Sequence, residues 1–185
     1  MPVPTEKPLR ADARRNRECL LAAARDLFSE GERASLEQVA KAAGVGVGTA
    51  YRHFPTRNDL VEAVYRSGAA ALVEAADELT AELPADEALG RWTDRLLAFA
   101  ATKRGMSDAL GELIASGSDI KESTRSQMVS AVATILEAGA KDGTLRTDVD
   151  AESVVDALSG MFMIKDSPEK ARRVAALVTD GVRAR

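Results

Sequence analysis

Ser35-Leu36-Glu37-Gln38-Val39-Ala40-Lys41-Ala42-Ala43-Gly44-Val45-Gly46-Val47-Gly48-Thr49-Ala50-Tyr51-Arg52-His53-Phe54 is the stretch from which the fold follows. Ser35 reads as a helix N-cap, and Gln38 three residues on completes a capping box. A short helix is therefore predicted through Ala43, with Leu36, Val39, Ala40 and Ala43 on its inner face. Gly44 follows at the point where left-handed backbone costs least. A second short helix is predicted over 47–54 and is stopped by Pro55. Two short helices joined by Gly44-Val45-Gly46 make a helix-turn-helix. At about 100° per residue, Val47, Ala50 and Phe54 fall on one side of the second helix and are expected to pack inward. Gly48, Thr49 and Arg52 point the other way, flanked by Tyr51 and His53. Small residues around one Arg let a helix lie close in a major groove. Arg52 then suits guanine O6/N7, Thr49 a thymine methyl or base edge, and Tyr51 and His53 phosphates. The three glycines are no dinucleotide loop, because a helix and not a strand precedes them.

Upstream, a helix is predicted from an Asp12 cap to about Ser29, with Gly31 as its stop. Leu20, Ala24, Leu27 and Phe28 give it one apolar stripe. Cys19 lies beside that stripe and is expected to be a buried, inert thiol. Downstream, Thr56 or Asn58 caps a long helix reaching about Leu83, ended by Pro84. Further helices are predicted over 86–103, 106–115, 118–140, 151–164 and 168–182, with Pro168 at a first turn. No segment alternates as a strand. The fold class is all-α, with about nine helices. A three-helix N-terminal head, residues 1–56, holds the motif. The long helix joins it to a C-terminal helical bundle, residues 57–185.

The 185 residues are 45% hydrophobic and only 4% aromatic, a profile that favours helices with a real core. The net charge of -4 is unevenly spread. Residues 1–66 carry 11 Lys/Arg against 9 Asp/Glu, whereas 67–185 carry 14 against 20. A basic arm of Lys7, Arg10, Arg14, Arg15 and Arg17 leads the head and is expected to attract phosphate. No apolar h-region follows it, so no signal peptide is expected, and no window is apolar enough for a membrane span. One cysteine excludes an internal disulfide and fits a reducing cytoplasm. With one histidine, His53, no metal site or catalytic triad can be assembled, and neither a cofactor nor an enzymatic role is expected.

The residues 35–54 quoted above resemble the DNA-binding signature of TetR-type regulators. Leu20-Leu21-Ala22-Ala23-Ala24-Arg25-Asp26-Leu27-Phe28 is similar to that family's first helix, and Pro55-Thr56-Arg57-Asn58-Asp59-Leu60 to the start of its fourth. Gly143-Thr144-Leu145-Arg146-Thr147-Asp148-Val149-Asp150 resembles the connection before its last two helices. The resemblance implies a cytoplasmic homodimeric repressor on a double-stranded palindromic operator, released by a small-molecule effector. It places Val47, Gly48, Thr49, Tyr51, Arg52 and His53 at the operator, with Ser35 and Arg57 on phosphates. Two departures stand out. Gly46 occupies the position where a Ser commonly caps the reading helix. The loop from Ser29 to Ala34 is about two residues short and lacks the usual aromatic after Gly31, which bears on the packing of that loop.

For the bundle, Trp92, Leu96, Phe99, Met106, Leu110, Met128, Met161 and Phe162 are candidates to line an effector cavity, adaptable Met being suited to one. The bland reading of each is ordinary core. Val154, Leu158, Val174, Leu177 and Val178, on the last two helices, are candidates for a four-helix dimer interface. The rival readings are a bundle enzyme and a helical interaction module that has lost DNA binding. No nucleophile–base pair supports the first, and Thr49, Tyr51, Arg52 and Arg57 speak against the second.

Overall fold

Several helices in this chain begin where a side chain takes up a backbone N–H that has no intrahelical partner. The computed structural model describes residues 6–31, 33–164 and 167–184. Its α-helices are α1 (Glu6–Ser29), α2 (Leu36–Ala42), α3 (Val47–His53), α4 (Arg57–Glu82), α5 (Ala85–Gly105), α6 (Ser107–Ala115), α7 (Ile120–Asp142), α8 (Ala151–Ser159) and α9 (Pro168–Val182). Ser35 forms the expected capping box with Gln38 at the head of α2. Thr56 does the same for α4: its hydroxyl accepts from the Asp59 N–H at 3.1 Å, while the Asp59 carboxylate accepts from the Thr56 N–H at 2.8 Å. Asp150 caps α8 and Ser167 caps α9, whose first residue is Pro168. The fold class is the all-helical one expected. The described residues contain only an isolated antiparallel bridge, Leu145 to Arg183.

The chain packs as two compact units. The first comprises the residues up to Tyr65 together with Ala101–Gly117. Leu20, Ala24 and Phe28 of α1 are fully buried in it, as are Leu36, Val39 and Ala40 of α2, Ala50 of α3 and Phe54 just after it. α6 is tied to the same unit by an Arg33–Asp108 ion pair at 2.8 Å and by Asn58 Nδ2 donating to Glu112 at 3.2 Å. Gly105, the last residue of α5, lies so close to α1 that a Cβ there would sit 2.0 Å from the Phe28 carbonyl oxygen.

The second unit is Arg66–Ala100 with the residues from Ser118 onward. Trp92 is fully buried at its centre, and its indole N–H donates to the Leu72 carbonyl at 2.8 Å, satisfying the ring's one polar atom. The Asp142 carboxylate, at the end of α7, accepts from the Ala85 N–H at 2.8 Å and so caps α5 from a distance in sequence. The connection after α7 is pinned by Arg146 N–H to Val182 O and Ala184 N–H to Thr144 O, both 2.9 Å. Arg146 also forks onto Asp148 at 2.8 Å through two nitrogens.

Four expectations are corrected. α1 starts by Glu6, so Asp12 is not its cap but an interior residue 3.7 Å from Arg15; Pro8 falls in the first turn, where a missing N–H costs nothing. Cys19 is exposed, because one residue before Leu20 turns it about 100° off the buried stripe. Val47 does not pack inward and keeps 44% of its surface exposed, since it opens α3. The helix expected over 151–164 stops at Ser159 and tightens into a 3-10 turn over Gly160–Met163. Of the basic arm, Arg14 and Arg15 are paired with Glu18 and Asp12, and the side chains of Lys7 and Arg10 lie outside the described part. No described helix is long and apolar enough to cross a membrane.

Candidate nucleic-acid interface

α2 and α3 are set at an angle by a four-residue turn whose geometry depends on Gly44 at φ +65°. At that φ an L side chain is strained, and Gly is the cheapest residue. The Val45 N–H then reaches back to Ala40 O at 2.9 Å, closing the end of α2. Gly46 starts α3 with no side-chain cap, but its carbonyl accepts from Thr49 and Ala50 N–H at 2.9 and 3.0 Å. Two buried residues, Ala50 and Phe54, fix α3 to the head. Arg17 of α1 helps hold the second, its guanidinium lying 5.5 Å from the Phe54 ring centre.

With that side anchored, Val47, Gly48, Tyr51 and Arg52 face solvent, and Thr49 and His53 are half-buried beside them. Arg52 makes no hydrogen bond or ion pair with another described residue. Its five donors are therefore available to a base edge. His53 packs its ring against that of Phe54, 6.3 Å between centres. The Ser35 hydroxyl accepts from the Gln38 N–H at 3.3 Å, which leaves its own proton free to donate.

Two residues do more than the sequence suggests. Tyr51 donates its hydroxyl proton to the Glu37 carboxylate on α2. Arg57 donates through Nε to Ala34 O at 3.0 Å and stacks 5.8 Å from the Phe28 ring centre, so it braces α4 against the loop before α2. Its two outer nitrogens remain available to a phosphate. Fourteen residues separate Glu37 from Tyr51, and only the angle between α2 and α3 makes them neighbours, so no local pattern signals the pair.

Accepting from Tyr51 holds Glu37 below its ordinary carboxylate range, and the same bond raises the Tyr51 phenol. A depressed carboxylate contributes above its unfolded value and loses that contribution as pH falls through its folded one. A raised phenol loses the bond as pH rises through its own value. The tether is therefore intact across neutral pH and fails only at the two extremes. By NMR, the Tyr51 ring is expected to titrate above the ordinary phenol range and to move down in Glu37→Gln. A Tyr51 titration that is the same in both proteins would show the bond to be absent in solution.

In the second unit, Trp92, Leu96, Phe99, Met128 and Met161 are buried and Phe162 is half-buried. Met106 and Leu110 are also buried, but they pack in the first unit, with the head. Of the residues expected at a dimer interface, Val154 and Leu158 are taken up by the chain's own core. Leu177 stands 73% exposed with Val174 and Val178 half-buried beside it. Among the described residues, no group of three or more His, Cys, Asp and Glu side chains is placed to hold a metal ion.

Comparison with known proteins matches both parts of the chain. Residues 20–64 match the family model described as bacterial regulatory proteins, tetR family. Residues 84–184 match that of the transcriptional regulator SbtR-like C-terminal domain. A TetR transcriptional regulator of Streptomyces coelicolor has a similar structure, with TM-score 0.81 and 42% identity over 91% of this chain and 98% of the other. A TetR regulatory protein of Mycobacterium vanbaalenii gives 0.74 and 34%, over 96% and 100%. An HTH-type transcriptional regulator of Staphylococcus aureus is 39% identical over 62 residues, which span 32% of each chain.

Proposed function

The chain belongs to the TetR family of bacterial DNA-binding transcription regulators, and we propose that it is a cytoplasmic dimeric repressor of a palindromic operator, released by a small-molecule effector. The observation that carries the reading is the outer face of α3. An unpaired Arg52 and the small residues Gly48 and Thr49 are presented on a helix locked from behind by Ala50 and Phe54. In the bound form Arg52 forks onto guanine O6/N7, and Val47, Gly48 and Thr49 let the backbone approach base edges. Ser35, His53 and Arg57 hold phosphates, as spare donors at helix ends and beside the reading face suit them to do, and Tyr51 joins them by turning its hydroxyl from Glu37 to a phosphate oxygen. Two such heads sit about 34–36 Å apart, one turn of the duplex. The C-terminal unit supplies the effector cavity, with Trp92, Leu96, Phe99, Met128, Met161 and Phe162 as its apolar lining. α4 links it covalently to the head without a linker. Release requires only that the effector bind the DNA-incompetent form better, with a coupling of about 1–3 kcal/mol.

Selection of bound sequences from random duplexes tests the reading. Arg52→Ala is expected to cost about 1–3 kcal/mol and to relax preference at one position per half-site. Arg57→Ala is expected to weaken all sequences alike and to flatten the salt slope by about one unit per site. Because Arg57 also braces Ala34 and Phe28, that variant alone should melt earlier. An Arg52→Ala protein that selects the wild-type sequence would remove the base-reading assignment.

A further inference from the structure

On the flank of the second unit, α5 and α9 diverge and leave a groove of about 490 Å³. It stays open because the facing positions are small: Gly90 on α5 and Ala175 and Ala176 on α9. Its volume lies within the range of small-molecule sites, about 300–1,000 Å³. Two further observations mark it as more than a surface dip. Thr93 lines it and is only 4% exposed, yet its hydroxyl has no hydrogen-bond partner. Buried hydroxyls almost always have one, and leaving one bare is costly. The charged residues of the groove are also only partly matched. Asp86 pairs with Arg183 at 3.5 Å, but the exposed Arg91, Arg172, Glu87 and Asp94 make no ion pair among the described residues.

We propose that this groove binds a small zwitterion with an apolar body, the chemical class of an α-amino acid. Two unpaired cations and two unpaired anions line it, so a ligand of one sign would satisfy one pair and crowd the other, while a ligand carrying both signs satisfies both. Its carboxylate is held by the guanidinium groups, whose fork geometry suits it, and its ammonium by Glu87 and Asp94. The apolar body lies against Leu97, Ala175 and Ala176. At about 100° per residue, the groove face of α9 lies about 145° from Leu177. A second copy docking on Leu177 therefore leaves the groove open. The inference is independent of the effector cavity and of DNA reading.

The test is NMR titration of the full-length protein with three compounds of one shape: L-phenylalanine, its N-acetyl derivative (anion only) and its amide (cation only). Phenylalanine should give saturable shifts of α5 and α9 amides and bind about tenfold tighter than either derivative. Gly90→Leu is expected to abolish those shifts. An added Cβ at Gly90 meets nothing within 4 Å, so the variant should fill the groove with the fold intact, which a melting temperature no lower than wild type checks. The absence of saturable phenylalanine binding, equal binding of all three compounds, or shifts that persist in a folded Gly90→Leu protein would each overturn the proposal.

Discussion

Gly105→Ala should destabilise the protein by at least about 3 kcal/mol, the upper range for overpacking, although the substitution lies in a helix where alanine is normally preferred. At the end of α5 the new methyl would sit 2.0 Å from the Phe28 carbonyl oxygen and within 2.8 Å of two more of its backbone atoms. Helix backbone cannot step aside as a flexible side chain would, and Phe28 itself is fully buried. Either α1 or the end of α5 must move, and with it the packing that supports α2 and α3. For a chain of this length the loss corresponds to a fall in Tm of about 6–12 °C. Gly90→Ala is the matched control. It sits in the same helix with open space around the added carbon, and should gain about 0.5–1 kcal/mol from helix propensity alone. Thermal melts by circular dichroism order the three proteins as Gly90→Ala, wild type, Gly105→Ala. If Gly105→Ala melts with the wild type, the close approach of α5 to α1 is not what the structure says.

The parts of this fold that could be read in advance are those set by neighbours in sequence. Ser35 with Gln38, Gly44 and Pro55 each act within four residues, so the bounds of α2 and α3 and the outward face of Gly48 and Arg52 follow from spacing alone. The start of α1 is not legible in the same way: Asp12 is a good cap, yet nothing between Glu6 and Asp12 forbids a helix. Where a contact joins distant residues, spacing is silent. The Asp142 carboxylate capping α5, Tyr51 held by Glu37, and Gly105 against Phe28 all depend on packing. The apolar stripe of α8 shows the same limit in another form. Periodicity places Val154 and Leu158 on one face, but it cannot say whether that face meets its own chain or a second copy, and here it meets its own core. The α5–α9 groove is not legible in the sequence because its residues are charged, and charged helix positions ordinarily read as a solvated face. Its signal is the unpaired Thr93 hydroxyl, which exists only in three dimensions.

Leu177→Arg should reduce operator affinity by about 10²–10⁴-fold without touching the DNA-reading head. On α9 the chain leaves Leu177 73% exposed, flanked by half-buried Val174 and Val178, while the opposite stripe of Ala171, Ala175 and Val182 is buried in its own core. Ser153 and Ala157 on α8 and Gly160 just after it are exposed and small, so a second backbone can come close there. In a two-fold dimer each interface residue counts twice. Burying Leu177 in both copies contributes about 3–6 kcal/mol at 1.5–3 kcal/mol per side chain. An arginine at that position forfeits this burial and sets two like charges across the axis, beside Arg173, whose nearest acid, Glu169, is 4.0 Å away. The side chain lies mostly in water in the single chain, so the variant should fold as a monomer. A monomer still reads one half-site through Arg52, but its second contact is no longer made at the high effective concentration of a linked partner. Sedimentation equilibrium should therefore show half the wild-type mass, and operator titrations should lose affinity and show binding of two separate molecules. A half-site duplex discriminates this from damage to the head, because wild type and variant should bind it alike. A Leu177→Arg protein that remains dimeric with full operator affinity would place the interface elsewhere than on α9.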